Sequence, residues 1–141
     1  MRDEEVRRYA RHILLPDVGG LGQTALMVAA ARVHIDGEPS AAHIAATYLV
    51  AGGVGGLVVD GASATQLGEL AAHATHTRIL QSGVSHAEPT SERATALAHP
   101  RDLAVPTSPA WWPTSAGDAT ALAFWRGGLA ATRWMAEVVN R

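Results

Sequence analysis

Lysine and cysteine are both missing from this chain, and each absence closes off a body of chemistry. Without lysine there is no Schiff base and no P-loop lysine to reach a nucleotide's phosphates. Every fixed positive side chain is an arginine. Without cysteine there are no disulfides, thiolate metal sites, thioester intermediates or thiol nucleophiles. A basic excess is also lacking: the formal net charge of −2 leaves nothing to neutralise a phosphate backbone, which argues against a nucleic-acid partner. Long apolar runs are absent too. The most apolar late segment, 119–139, is interrupted by Arg126, Arg133 and Glu137, and its uncharged runs are too short to span a bilayer. The first residues, Arg2, Asp3, Glu4 and Glu5, form no apolar signal core, so the expected location is cytoplasmic with no membrane partner. A serine–histidine–aspartate pattern with a nucleophile elbow is not found either, which sets aside a hydrolase.

What is present suits a folded chain. Hydrophobic residues make up 48% of the 141 and charged residues 17%, enough for a modest core and too apolar for disorder. Residues 3–15 fit an amphipathic helix, with Val6, Tyr9, Ala10, Ile13 and Leu14 at helical spacing and Asp3 as a cap. Pro16 and the glycines at 19, 20 and 22 are expected to end it, and a short helix to follow over 22–31. "RVHID", 32–36, alternates like a strand and runs into "DGEPS". A helix over 40–52 and a glycine turn into a buried strand at 52–61 complete a βαβ unit. A further helix at 64–74 and a strand at 77–81 follow. Residues 83–117, rich in proline, serine and threonine, are expected to be a long loop, packed locally through Trp111 and Trp112. The chain closes with a helix from about 118 to 139. Its Gly127–Gly128 pair costs about 1 kcal/mol per residue against alanine and makes sense where another backbone comes close. The expected organisation is an arm and core at 1–82, a linker at 83–117 and a closing helix at 118–141 that packs on the core or on a partner.

The order of motifs resembles the ThiF/MoeB family of ubiquitin-activating-enzyme-like adenylyltransferases. The family opens with an arginine-tyrosine-x-arginine-glutamine helix and an apolar run, matched here by Arg8, Tyr9, Ala10, Arg11, His12 and "ILLP". Its glycine-glutamine pair is matched by Gly22 and Gln23, and its alanine-arginine-valine strand by Ala31, Arg32 and Val33. "AATYLVAGGVGGLVVDG", 45–61, follows the family's helix and strand to their aspartate, Asp60. The resemblance covers roughly 6–61, and the last helix loosely. It implies an α/β fold with a truncated Rossmann-like βαβ core and a parallel sheet, an N-terminal helical arm and an apolar C-terminal helix. It also implies ATP-dependent activation of a ubiquitin-like or sulfur-carrier protein's C-terminus, with Asp60 holding a ribose and Arg11 reaching a dimer partner's ATP site.

The departures argue against that activity. The family's glycine-rich phosphate loop reads here Gly37, Glu38, Pro39, Ser40, Ala41, Ala42, keeping only its first glycine. Glu38 places negative charge where phosphate belongs, and Pro39 removes a backbone donor. The family's asparagine and arginines after the aspartate give way to "ASATQLGEL", 62–70, and its lysine, zinc cysteines and magnesium aspartate have no counterpart. The expectation is a catalytically inactive homologue acting as a dimerising or regulatory subunit, without cofactor, as a homo-oligomer or beside an active family member. Arg8, Tyr9, Arg11, Gly127 and Gly128 are the candidate partner-site or interface residues, and Gly37 and Asp60 the degenerate nucleotide positions. The alternatives are a reduced nucleotide-binding enzyme using ATP–Mg²⁺ and a structural assembly module. Asp60 either holds a ribose or satisfies turn amides. His73 and His76 share a helical face without a third ligand, so no metal is expected, and His34 and His43 read as strand and helix surface. Arg8 and Arg11 either reach a partner or form a solvated face paired with Glu4 or Glu5.

Overall fold

A computed structural model of the chain describes residues 1–83, 91–112 and 118–141. Four parallel strands, β1 (Ala30–His34), β2 (Gly56–Asp60), β3 (Arg78–Gln81) and β4 (Arg101–Asp102), form one sheet in the order β3-β2-β1-β4. Parallel strands need crossovers, and the helices supply them. Helix α4 (Ala41–Ala51) links β1 to β2, α5 (Ala64–His73) links β2 to β3, and α6 (Glu92–Ala98) lies between β3 and β4. The direction of winding reverses at β1, so β4 lies on its other side, as in a doubly wound Rossmann-like sheet. The expected α/β fold with a parallel βαβ core is what the chain adopts. Among the described residues no helix is long and apolar enough to cross a membrane.

The two sheet faces differ in cover. Ala31 and Val33 of β1 and Leu57 and Val59 of β2 point to the face carrying α4 and α7 (Asp118–Val139), where Leu49, Val50, Leu70, Ala130 and Trp134 close the main core. Ala30 and Val58 meet Leu97 of α6 in a small cluster on the other face. β2, buried on both faces, accordingly reads as the continuous apolar run "GLVVD". Helix α7 lies along α4, and Gly127 is where they touch. A Cβ there would stand 2.5 Å from the Ala41 carbonyl oxygen and 2.9 Å from Ile44. The close backbone approach expected at the glycine pair is therefore made by α4 of the same chain. Gly128 faces only Tyr48, 3.9 Å from an added Cβ.

Several boundaries differ from expectation. The opening helix is two, α1 (Asp3–Arg8) and α2 (Ala10–Ile13), broken at Tyr9 (φ −100°, ψ 15°), whose ring turns into the core. Arg2, not Asp3, is the cap of α1. Gly19, Gly20 and Gly22 do not end a helix but begin α3 (Gly19–Val28), and Gly22 lets α3 approach Val139. β1 starts two residues earlier than "RVHID" because Ala30 and Ala31 pair with Gly56 and Leu57. The segment expected to be a loop at 83–117 contains α6 and β4, while its parts 84–90 and 113–117 lie outside the described residues. Trp111 and Trp112 do pack locally, with ring centroids 5.7 Å apart and each 6.2 Å from Trp125.

Candidate functional site

The carboxyl ends of β1 and β2 bring Gly37 and Asp60 to one edge of the sheet. His34 pairs with Asp60 in register, and the Ile35 amide donates to the Asp60 carbonyl at 2.9 Å, so the turn after β1 stays tied to β2. Gly61 permits this approach: its φ is +72°, and a Cβ would meet the Ile35 carbonyl at 2.5 Å. The half-buried Asp60 lines a cleft of about 180 Å³ with Gln81 and Ser82. Gly37 also has a positive φ, +63°, with open space around it.

The turn that would cradle phosphate is occupied by the chain's own side chains. Gln66, buried in the first turn of α5, donates through Nε2 to the Gly37 carbonyl (3.1 Å) and to Glu38 Oε1 (2.6 Å). Its Oε1 accepts from the Ser63 amide at 2.9 Å, and its own amide donates to Ser63 Oγ at 3.2 Å. This capping box fixes the amide's orientation and uses its hydrogen-bonding capacity. At the start of α4, Ser40 Oγ accepts from the His43 amide at 3.2 Å, taking one donor that an anion would need. The turn after β1 therefore presents a carboxylate, Glu38, held by Gln66.

His43 is not helix surface. Its ring is largely buried between Glu38 and Glu69, with Nδ1 3.8 Å from one carboxylate and Nε2 3.4 Å from the other. His34 is exposed, as expected for its strand position. His73 is exposed and His76 half-buried, and no group of three or more candidate metal ligands occurs among the described residues.

The arginine arm sits at the opposite, amino end of the sheet. Tyr9 is only 3% exposed, and Gly53, at φ +85°, is what admits its ring: a Cβ there would be 2.5 Å from Tyr9 Cζ. His12 stacks beside Tyr9 at 6.1 Å, and His76 meets it edge-on at 6.4 Å. Beneath them the fully buried Gln23 donates to the Gly52 carbonyl at 3.1 Å and faces His12 Nδ1 at 3.1 Å. Arg8 and Arg11 stay exposed, with the Arg8 guanidinium 6.0 Å from the Tyr9 ring centre. Glu5 pairs with Arg2, not with Arg8 or Arg11, at 3.1 Å. The Arg2 amide, 2.7 Å away, holds the Glu5 carboxyl below its usual range; burial opposes this, and the Arg2 side chain and His76 assist it. Since α4 runs between the two ends, about 17 Å separates the arm from the turn after β1, by the rise of an eleven-residue helix. Arg8 and Arg11 do not line the Asp60 cleft of their own chain.

Gln66 and the His43 cluster were missed as site residues. Ser63-x-x-Gln66 is a legible capping box, but nothing local signals that its amide also reaches Gly37 and Glu38. The fold and this strand-end turn define the class as a Rossmann-like α/β protein whose turn after β1 is tied by Gln66 to α5. No protein-family model matches this chain, and no curated protein sequence is significantly similar to it.

Proposed function

We propose that the chain is a catalytically inactive relative of the ThiF/MoeB-type adenylyltransferases that serves as a dimerising or regulatory subunit in the cytoplasm. The observation that carries this reading is the Gln66 amide bridging Gly37 and Glu38. A triphosphate there would meet a fixed carboxylate and a helix start already capped by Ser40, while the arm keeps its arginines on the surface. The partner is a second copy or an active member of the same family, itself acting on a ubiquitin-like or sulfur-carrier protein. In that complex Arg11 enters the active member's ATP site, where a guanidinium fork spans two phosphate oxygens. Tyr9, buried under α1 and α2, sets the arm's angle from inside its own chain. A reduced nucleotide-binding enzyme is the second reading, supported by the half-exposed Asp60 beside Gln81 and Ser82.

Titration calorimetry of the isolated chain with ATP–Mg²⁺ separates the two. No saturable binding below about 1 mM is expected for the inactive subunit, and a micromolar constant would overturn it. In complex with an active partner, Arg11→Ala is expected to slow pyrophosphate exchange about 10- to 150-fold while leaving assembly intact. An unchanged rate in an intact complex makes the arm a solvated helix.

A further inference from the structure

Beside the closed turn, between the first turns of α4 and α7 and the later half of α5, lies a cavity of about 680 Å³. That is a size suited to a small molecule. Ile44, Tyr48 and Phe124 give it an apolar wall, with both rings about half exposed. Its carboxylates are Glu38 and Glu69, its imidazoles His43 and His73, and neither lysine nor arginine lines it.

The His43 ring lies between these two carboxylates, one facing each ring nitrogen. At 3.8 and 3.4 Å neither contact is a short hydrogen bond. Glu38 has a second donor in Gln66 at 2.6 Å. Glu69 does not: His43 Nε2, 3.4 Å from it, is buried without a hydrogen-bond partner, and no other described residue donates to this carboxylate. Glu69, more than half exposed, is thus left to water and to the His43 ring, with no arginine beside it in the cavity. The N-terminal dipole of α4 offsets about half a unit charge, less than the two carboxylates carry.

We propose that this cavity binds a small aliphatic amine, its ammonium group at Glu69 and its chain along Ile44, Tyr48 and Phe124. An ammonium brings three donors and a full positive charge to a carboxylate otherwise served by water. The neighbouring aromatic faces favour a cation, and low-dielectric walls concentrate the field of the carboxylates. The same field repels anions, so the cavity selects against nucleotides for the reason that it accepts an amine. This inference does not rest on the proposed subunit role: it concerns α4, α5 and α7, not the arm.

The test is titration of the full chain at neutral pH with hexylamine, hexanol and hexanoate, followed by calorimetry and by the NMR signals of the His43 ring. Hexylamine is expected to saturate with a dissociation constant below about 10 mM, hexanol at least about tenfold more weakly, and hexanoate not at all. Glu69→Gln, at a side chain more than half exposed, should keep the melting temperature and weaken hexylamine about 10- to 100-fold. Phe124→Ala, on a different helix, should weaken it about 2- to 5-fold. Equal binding of hexylamine and hexanol would reduce the cavity to an apolar cleft and overturn the proposal. So would the absence of saturation, or an affinity unchanged in a folded Glu69→Gln variant.

Discussion

Two buried glutamines, one at each end of the sheet, do related work with opposite electrostatic results. At the amino end Gln23 joins the His12 ring to the Gly52 carbonyl and locks down an arm whose surface carries Arg8 and Arg11. At the carboxyl end Gln66 joins Ser63 and Gly37 to Glu38, and so fixes a carboxylate where a nucleotide-binding sheet would want donors. Exposed Arg8 and Arg11 thus mark the amino end of the sheet, and Glu38 marks the carboxyl end, where such folds bind ligands. Both glutamine side chains are hydrogen-bonded; what differs is the charge beside each.

The largest break in this comparison is expected at its glycines. Gly53 and Gly37 share a left-handed backbone, φ +85° and +63°, but Gly53 lies against the Tyr9 ring and Gly37 in open space. Gly53→Ala combines backbone strain with overpacking and is expected to cost about 2–5 kcal/mol, and to expel the arm. Gly37→Ala carries only the backbone term, about 1–2 kcal/mol. Urea unfolding of both variants measures the difference, and equal losses would show that Tyr9 is not seated against Gly53.

A smaller contrast lies in the glutamines themselves. Gln23→Leu leaves the buried Gly52 carbonyl and the half-buried His12 ring without their partner, a loss of about 2–4 kcal/mol. Gln66→Leu removes three side-chain bonds to Gln23's two, but Gly37 and Glu38 are exposed, so water replaces theirs and the loss is about 1–2 kcal/mol, mostly the capping box. Thermal unfolding should rank the two in this order. A larger loss at Gln66 would mean that the turn after β1 is drier than its exposure indicates.

How much of this was legible in the sequence follows from the range of each interaction. The βαβ core was readable because alternation in "RVHID", the alanine-rich helix and the run "GLVVD" are local signals of burial. Gln23 lay inside a quoted motif, and Ser63-x-x-Gln66 is a local cap. α6 and β4 were not readable: "ERATALA" contributes little beyond Ala96 and Leu97 to a core, and a two-residue strand has no period. The break at Tyr9 depends on a cavity made by Gly53, far along the chain, so the apolar spacing of 3–15 gave no sign of it. His43 looked like helix surface because Glu38 and Glu69 reach it from other elements. Charges that meet only through the fold leave no trace in local spacing.

The smallest effect, and the one that sharpens the comparison most, concerns acid. The Glu5 carboxyl is held below its ordinary value of 4.5, first by the Arg2 backbone amide. A carboxyl with a lowered folded pKa contributes stability that is fully present above its unfolded value. That contribution is lost as pH falls through the folded value. The arm should therefore loosen below about pH 4.5, and the loosening should be local, because Glu5 touches α1 and its cap and not the sheet. Hydrogen exchange of the α1 amides from about pH 7 to pH 3, corrected for intrinsic rates, is the measurement. Wild-type protection should fall through this range while that of β1 and β2 persists. Glu5→Gln should show reduced protection already at neutral pH and little further change. Protection that stays flat in the wild type, or falls equally in the sheet, would remove Glu5 as the arm's acid-sensitive contact and leave Tyr9 alone to hold it.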